Sequence, residues 1–169
     1  MKTTAYAVRA GKCTAVAGIA LMSLLVVFGN ITDYYSNFYF VQHVMKMDTI
    51  FPSSEIHYRA VDSNLLYHIS YILIILAELL MAACCMAGSV QMIKNISGSA
   101  TQFHAAKKWA VYGCIIGFAI WFIGFEVVGG EWFGMWQSST WNGLYSADRI
   151  VTFIALAFIM LQMKEEEMQ

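Results

Sequence analysis

Residues 65–92 read LLYHISYILIILAELLMAACCMAGSVQM, a run with one formally charged side chain, Glu78. As a helix it would rise about 42 Å, at about 1.5 Å per residue. A hydrocarbon layer about 30 Å thick needs about 20 mostly apolar residues to cross it. The run is too long for a strand and too apolar for a helix that faces water. Lipid offers no partner to a free backbone amide, so the run must be helical.

Three more runs of this kind lie on either side of it, at about 13–32, 109–128 and 143–163. Asp148 and Arg149 interrupt the first turns of the last one. The expected fold is all-α: a four-transmembrane-helix bundle in a single integral membrane domain over residues 1–169. Composition agrees. The chain is 59% hydrophobic and 12% charged, against about 45–50% and about 25% in soluble domains. A water-soluble core of this length could not hide so much apolar surface. The net charge of −1 gives no basic field for nucleic acid. Cys13, Cys84, Cys85 and Cys114 fall in or beside apolar runs, as packing residues rather than an exposed disulfide framework.

Lysine and arginine set the orientation. Lys2, Arg9, Lys12, Lys94, Lys107, Lys108 and Lys164 fall on one side of the spans, and Lys46 and Arg59 on the other. Seven against two, with Arg149 inside the last span, puts both termini in the cytoplasm. The first run is long and no A-x-A-like cleavage site closely follows it, so it reads as an uncleaved span. The acidic tail KEEEMQ, residues 164–169, reads as a solvated helix end.

The outer connections are then 33–64 and 129–142. The first carries Tyr34, Tyr35, Phe38, Tyr39 and Phe40, with Phe38, Val41 and Met45 at helical spacing. The second carries Trp132, Trp136 and Trp141 beside Glu131. Tryptophan and tyrosine favour the headgroup layer, yet the inner side has far fewer aromatics. The excess predicts an ordered, aromatic-rich extracytoplasmic cap, in which Gly129, Gly130 and Gly134 permit tight turns. Trp132, Trp136, Trp141, Glu131 and Asp33 are its candidate binding residues.

The segments GGEWFGMWQSSTWNG (129–143), NITDYYSNFYFVQHVMKMDT (30–49) and YRAV (58–61) resemble a bacterial family of predicted small integral membrane proteins, domain of unknown function 2165. The resemblance covers almost the whole chain. It implies a four-span protein of the bacterial inner membrane and names no catalytic residues.

Charges inside the spans are costly. Glu78, near the middle of its span, needs a proton, a partner or a wet cavity. At about 1.5 Å per residue, Glu78 lies about 20 Å and Arg149 about 9 Å below the outer ends of their spans. Glu126 lies two residues from the outer end of its own span. Depth therefore favours Arg149 with Glu126, joined by Asp33, either as an ion pair that locks the bundle or as a functional polar site. His68, Tyr71 and Glu78 descend from the outer mouth, with Tyr71 and Glu78 on one face. Such a line could carry protons, hold a polar headgroup or simply bond helices together. Gly113 and Gly117 form a GxxxG pattern that suits close helix packing, internal or between two copies.

Zincin, nucleophile-elbow, Walker and paired CxxC signatures are absent, and no metal site is expected. The sequence reads as a non-catalytic accessory subunit or partner- or lipid-binding component of an inner-membrane complex, with a protein partner or homo-oligomer expected. The alternative is a proton- or ion-coupled transport component using Glu78. A third reading is a b-type haem and quinone subunit, in which His68 would need a second axial ligand from His43 or His57.

Overall fold

A computed structural model describes residues 4–167, and every regular element among them is a helix. The elements run α1 (Thr4–Thr32), α2 (Tyr34–Lys46), a 3₁₀ turn (Glu55–Arg59), α3 (Asn64–Lys94), α4 (Ala100–Ala106), α5 (Lys108–Phe118), a π-helical continuation (Ala119–Trp132), a second 3₁₀ turn (Met135–Gln137) and α6 (Leu144–Gln162). Four helices are long and apolar enough to cross a membrane: Thr4–Thr32, Asn64–Lys94, Ala100–Trp132 and Leu144–Gln162.

Local signals place several boundaries. The Ser63 side chain accepts from Leu66 N and starts α3. Ser99 and Gln102 form a reciprocal capping box at α4, which satisfies two amides that a helix start leaves free. Met47, at φ 54°, ends α2 in a left-handed conformation.

Two expectations about the third span need correction. The helix does not stop at residue 128 but runs to Trp132. Gly129 and Gly130 therefore lie inside it, and the tight turn sits at Gly134, φ 65°. Glycine breaks a helix where its amides can find other partners, and an apolar surrounding offers none. The last 14 residues bond as a π-helix, a wider coil usually confined to single turns. Phe133 N closes it by donating to Val128 O at 3.0 Å.

The four long helices form a ring in which α1 packs on α3, α3 on α5, the α5–π helix on α6, and α6 back on α1. Small side chains fill the inside: Ala20, Cys85, Ala110, Cys114 and Ala147 are fully buried. Large ones point outward, with Phe28 66% and Ile159 60% exposed. That inversion fits a surrounding of lipid, where close backbone approach replaces the hydrophobic drive between helices. The GxxxG glycines serve this packing, Gly113 against Cys85 and Gly117 against Met81 and Ile154. All four cysteines are free and buried.

At the end holding residue 9, the structure departs from the expected solvated tail. After Gln162 the chain leaves the helix, and Glu165 turns into a buried cluster. Lys12 Nζ and Lys107 Nζ lie 2.6 and 2.7 Å from Glu165 Oε1, and Arg9 Nε is 3.9 Å from Oε2. All four side chains are at most 4% exposed. Carbonyls complete the shell. Arg9 donates to Ile96 O, Gly98 O and Glu166 O, Lys12 to Met163 O and Lys107 to Leu161 O. The Arg9 guanidinium also lies over the Phe103 ring at 5.0 Å. The cluster ties α1, the turn after α3, α4, α5 and the tail. The tail residues 168 and 169, like Lys2, lie outside the described residues.

Burial alone would raise the Glu165 carboxyl, but hydrogen bonds from Lys107 and Lys12, with their charges, outweigh it and hold it below the ordinary carboxylate range. An acid lowered on folding adds stability above its unfolded value, about 4.3 for glutamate, and that stability is lost as pH falls through the lowered folded value. Glu165→Gln is expected to cost about 3–5 kcal/mol, because three buried cations lose their counter-charge. Unfolding in mixed detergent micelles should register that loss at pH 7, and the variant should lack the native protein's fall in stability below about pH 4.3. A second variant tests the close packing. A Cβ at Gly88 would overlap the backbone of Ala110, so Gly88→Val should destabilise by about 1–3 kcal/mol in the same assay.

Candidate functional site

A second polar cluster lies at the other end of the α1 seam. The buried residues of α1, from Arg9 and Lys12 through Val16, Ala20, Ser23 and Val27 to Asn30, follow one face of the helix. The 21 steps from Arg9 to Asn30 (30 − 9) span about 32 Å along the axis, close to one hydrocarbon thickness. Asn30 Nδ2 donates to Glu78 Oε2 at 2.7 Å. Glu78 therefore sits level with the end of α1, although it lies near the middle of its own run. The physical reason is an overhang. The first turns of α3 pass beyond α1 and pack against α2 instead, burying Tyr67 and Tyr71 with Phe38 and Val41.

The Glu78 carboxylate is 2% exposed. Oε1 receives no hydrogen bond among the described residues, while Asn30 holds Oε2. Asn37 Nδ2 donates to Asn30 Oδ1 at 2.8 Å, and Tyr71 Oη donates to Asn30 O at 3.3 Å. One asparagine thus organises the cluster from both of its amide atoms and its carbonyl.

Glu78 lines a cavity of about 390 Å³. Asn30, Asn37, Tyr71 and Ser146 supply its other polar side chains, and Phe40, Trp121 and Phe125 its further aromatic walls. The exposed Asn37 stands at its edge. A second cleft of about 530 Å³, almost wholly apolar, lies between α2, α3 and the α5–π helix. Both are lined by Phe40, Val41, Ile74 and Phe125, so the two adjoin there. Trp121 stacks on Phe125 with centroids 4.8 Å apart, and Phe125 on Phe40 at 6.1 Å. Each volume is within the range of small-molecule sites, about 300–1,000 Å³.

The other expected site residues are distributed as follows. Arg149 and Glu126 do not pair. Arg149 is exposed on α6, whose inward face is Ala147, Ile150, Ile154, Ala157 and Leu161. The ion pairs among the described residues are at Glu165, and a histidine–carboxylate contact joins His43 to Asp48. Glu126 is half-buried, and its Oε1 is buried with no hydrogen-bond partner among the described residues. Asp33 is exposed and accepts from Ser36 Oγ at 2.7 Å. His68 does not continue a polar line to Glu78. Its ring stacks on Phe38 at 4.2 Å, and its Nδ1 lies 2.8 Å from Tyr34 Oη. Burial, then the neighbouring Tyr35, raises the Tyr34 phenol, so it stays protonated and able to donate.

The aromatic residues of the two connections meet at this end. His43 stacks on Trp141 at 4.6 Å and bonds Asp48. Thr49 Oγ1 and Ser138 Oγ lie 2.7 Å apart. Arg59 lies over Trp132 at 4.9 Å and donates to the carbonyls of Glu131 and Trp132. Trp136 meets Phe51 edge to face. Trp132 and Trp136 remain about half exposed, at 51% and 49%.

Sequence reasoning missed Asn30 and Asn37. Asn30 ends an apolar run and resembles a boundary residue; the visible signal is that it falls on the seam begun by Arg9. It missed Glu165 because a run of glutamates ordinarily faces water.

The model of a family described as predicted small integral membrane protein (DUF2165) matches residues 8–164. No curated protein matches the chain, and no solved structure does.

Proposed function

From the premise that the chain belongs to this family of small integral membrane proteins, we propose that it is a non-catalytic, multi-pass component of a bacterial inner membrane that holds a lipid or lipid-like molecule between its helices. The observation that carries this reading is the pair of adjoining cavities. One is almost wholly apolar and faces the side of the bundle; the other ends on the Glu78 carboxylate. An amphiphile has that same division. The reading requires no cofactor and no catalytic group.

Binding is favoured over passage. Between the Glu78 cavity and the basic cluster, the seam is filled by Val16, Ile19, Ala20, Met81, Cys85, Ala110 and Cys114, all buried in one apolar core. A transport component built on Glu78 would have to open that core. The half-exposed Trp132 and Trp136 suit contact with headgroups or with the partner of an accessory subunit.

Both termini are assigned to the cytoplasm, so the aromatic connections form an extracytoplasmic cap around the mouth at Asn37. The basis is the basic cluster, which joins the lysines and arginine expected inside with the end of α6. A cysteine placed at the exposed Ser139 should react with a membrane-impermeant maleimide in intact cells, and one at the exposed Thr101 only after lysis. The reverse pattern removes the assignment.

Lipid retention tests the binding reading. Protein purified in mild detergent should carry an amphiphile detectable by native mass spectrometry. Ala77→Trp, which fills the apolar cleft from its α3 wall, should cut the retained fraction at least about fivefold, since an overpacked site loses about 1 kcal/mol or more of binding. A protein that retains nothing, or a variant that retains as much as the native chain, contradicts it.

A further inference from the structure

Among the described residues, Glu78 has no counter-charge within ion-pair distance. Among the residues lining either cavity it is the only charged one. The groups facing it are neutral on every side: Asn30 from α1, Asn37 from α2, Tyr71 on its own helix, Trp121 and Phe125 from the π segment, and Ser146 from α6. Asn30 satisfies one oxygen only. A carboxylate taken out of water is strongly unfavourable unless a positive charge or full hydrogen bonding compensates it. The protein provides that compensation for Arg9, Lys12 and Lys107 through Glu165 and a shell of carbonyls. It provides nothing comparable for Glu78.

The surroundings narrow what could supply the missing charge. Phe40, Tyr71, Trp121 and Phe125 line the same cavity, and aromatic faces attract cations through their quadrupole. Neither cavity contains a lysine, arginine or histidine to receive a phosphate or carboxylate. A bare metal ion demands several oxygen ligands, whereas the walls are largely carbon. Past Phe40 and Phe125, which line both cavities, lies space of about 530 Å³ for an apolar body.

We infer that the ligand of this site is a lipophilic organic cation, with its positive centre against Glu78 Oε1 and the aromatic walls, and its apolar part directed toward the cleft between α2, α3 and the α5–π helix. The inference rests on the proposal that the paired cavities hold an amphiphile, and it adds the sign of the headgroup charge. An exposed Asn37 at the edge gives the cation a route in from the end of the bundle opposite the basic cluster.

The test uses three probes of matched shape: tetraphenylphosphonium, its anionic counterpart tetraphenylborate and the neutral tetraphenylsilane. Each is equilibrated with the full chain in maltoside micelles, and partitioning into protein-free micelles is subtracted. The cation should bind saturably and at least about tenfold more tightly than either counterpart, the factor expected of one desolvated charged interaction. Glu78→Gln still accepts from Asn30 and should weaken cation binding about tenfold, at an unchanged thermal transition. If the borate or the silane binds as well as the cation, the charge assignment is overturned while the ligand site stands. If none binds and the purified protein also retains no amphiphile, both fall. Equal cation affinity in Glu78→Gln and native protein overturns the role of Glu78. Should that variant not fold, the comparison of the three probes on the native chain decides alone.

Discussion

Every ionised or polar group between these helices has to find its partner inside the protein, because the medium around the bundle supplies none. The rest of the structure is arranged around that constraint. Apolar side chains are free to face outward, and large ones such as Phe28 and Ile159 do, while small residues line the closest helix contacts. The largest buried polar side chains, Arg9, Lys12 and Lys107 at one end and Asn30 and Glu78 at the other, gather at the two ends of the bundle.

The two ends solve the problem differently. At one, three cations share a single carboxylate, and backbone carbonyls from the turn after α3 and the end of α6 take up further donors. The last turn of a helix carries partial negative charge, so α6 contributes to the compensation before Glu165 is counted. That arrangement is closed, and its residues are almost inaccessible. At the other end, one carboxylate meets neutral amides, a phenol and aromatic rings beside open space. A closed cluster of mutually bonded groups serves as a joint between segments. An open, unbalanced one has the properties of a site.

The π-helical stretch connects packing to that site. Its wider turn redirects the side chains of residues 119–132 relative to a continued α-helix. Trp121 and Phe125, four apart, stack on each other and both face the Glu78 cavity. Gly129 sits against Met135 at the cleft wall. Unbroken helical bonding through the glycines keeps the backbone satisfied while the walls of both cavities are set.

The fold class was legible in the sequence because hydrocarbon tolerates only runs of one length and composition, and four such runs are present. The common side of the basic residues was legible too, and the structure gathers three of them into one cluster. Asn30, Asn37 and Glu165 were not, since each is ordinary in its local context and gains its meaning from a partner 48, 7 or more than 50 positions away. The level of Glu78 against α1 was hidden for the same reason. Counting along α3 puts Glu78 in the middle of its run, but only the docking of α2 under the first turns of α3 reveals where α1 ends beside it. Likewise, Arg149 looked like a partner for Glu126 by depth, while the rotation of α6 about its axis turned it outward. A sequence in lipid specifies which segments cross, from length and composition alone. Helix rotation, overhang and the path of a tail depend on how side chains interlock between segments, and those were decided only in the assembled bundle.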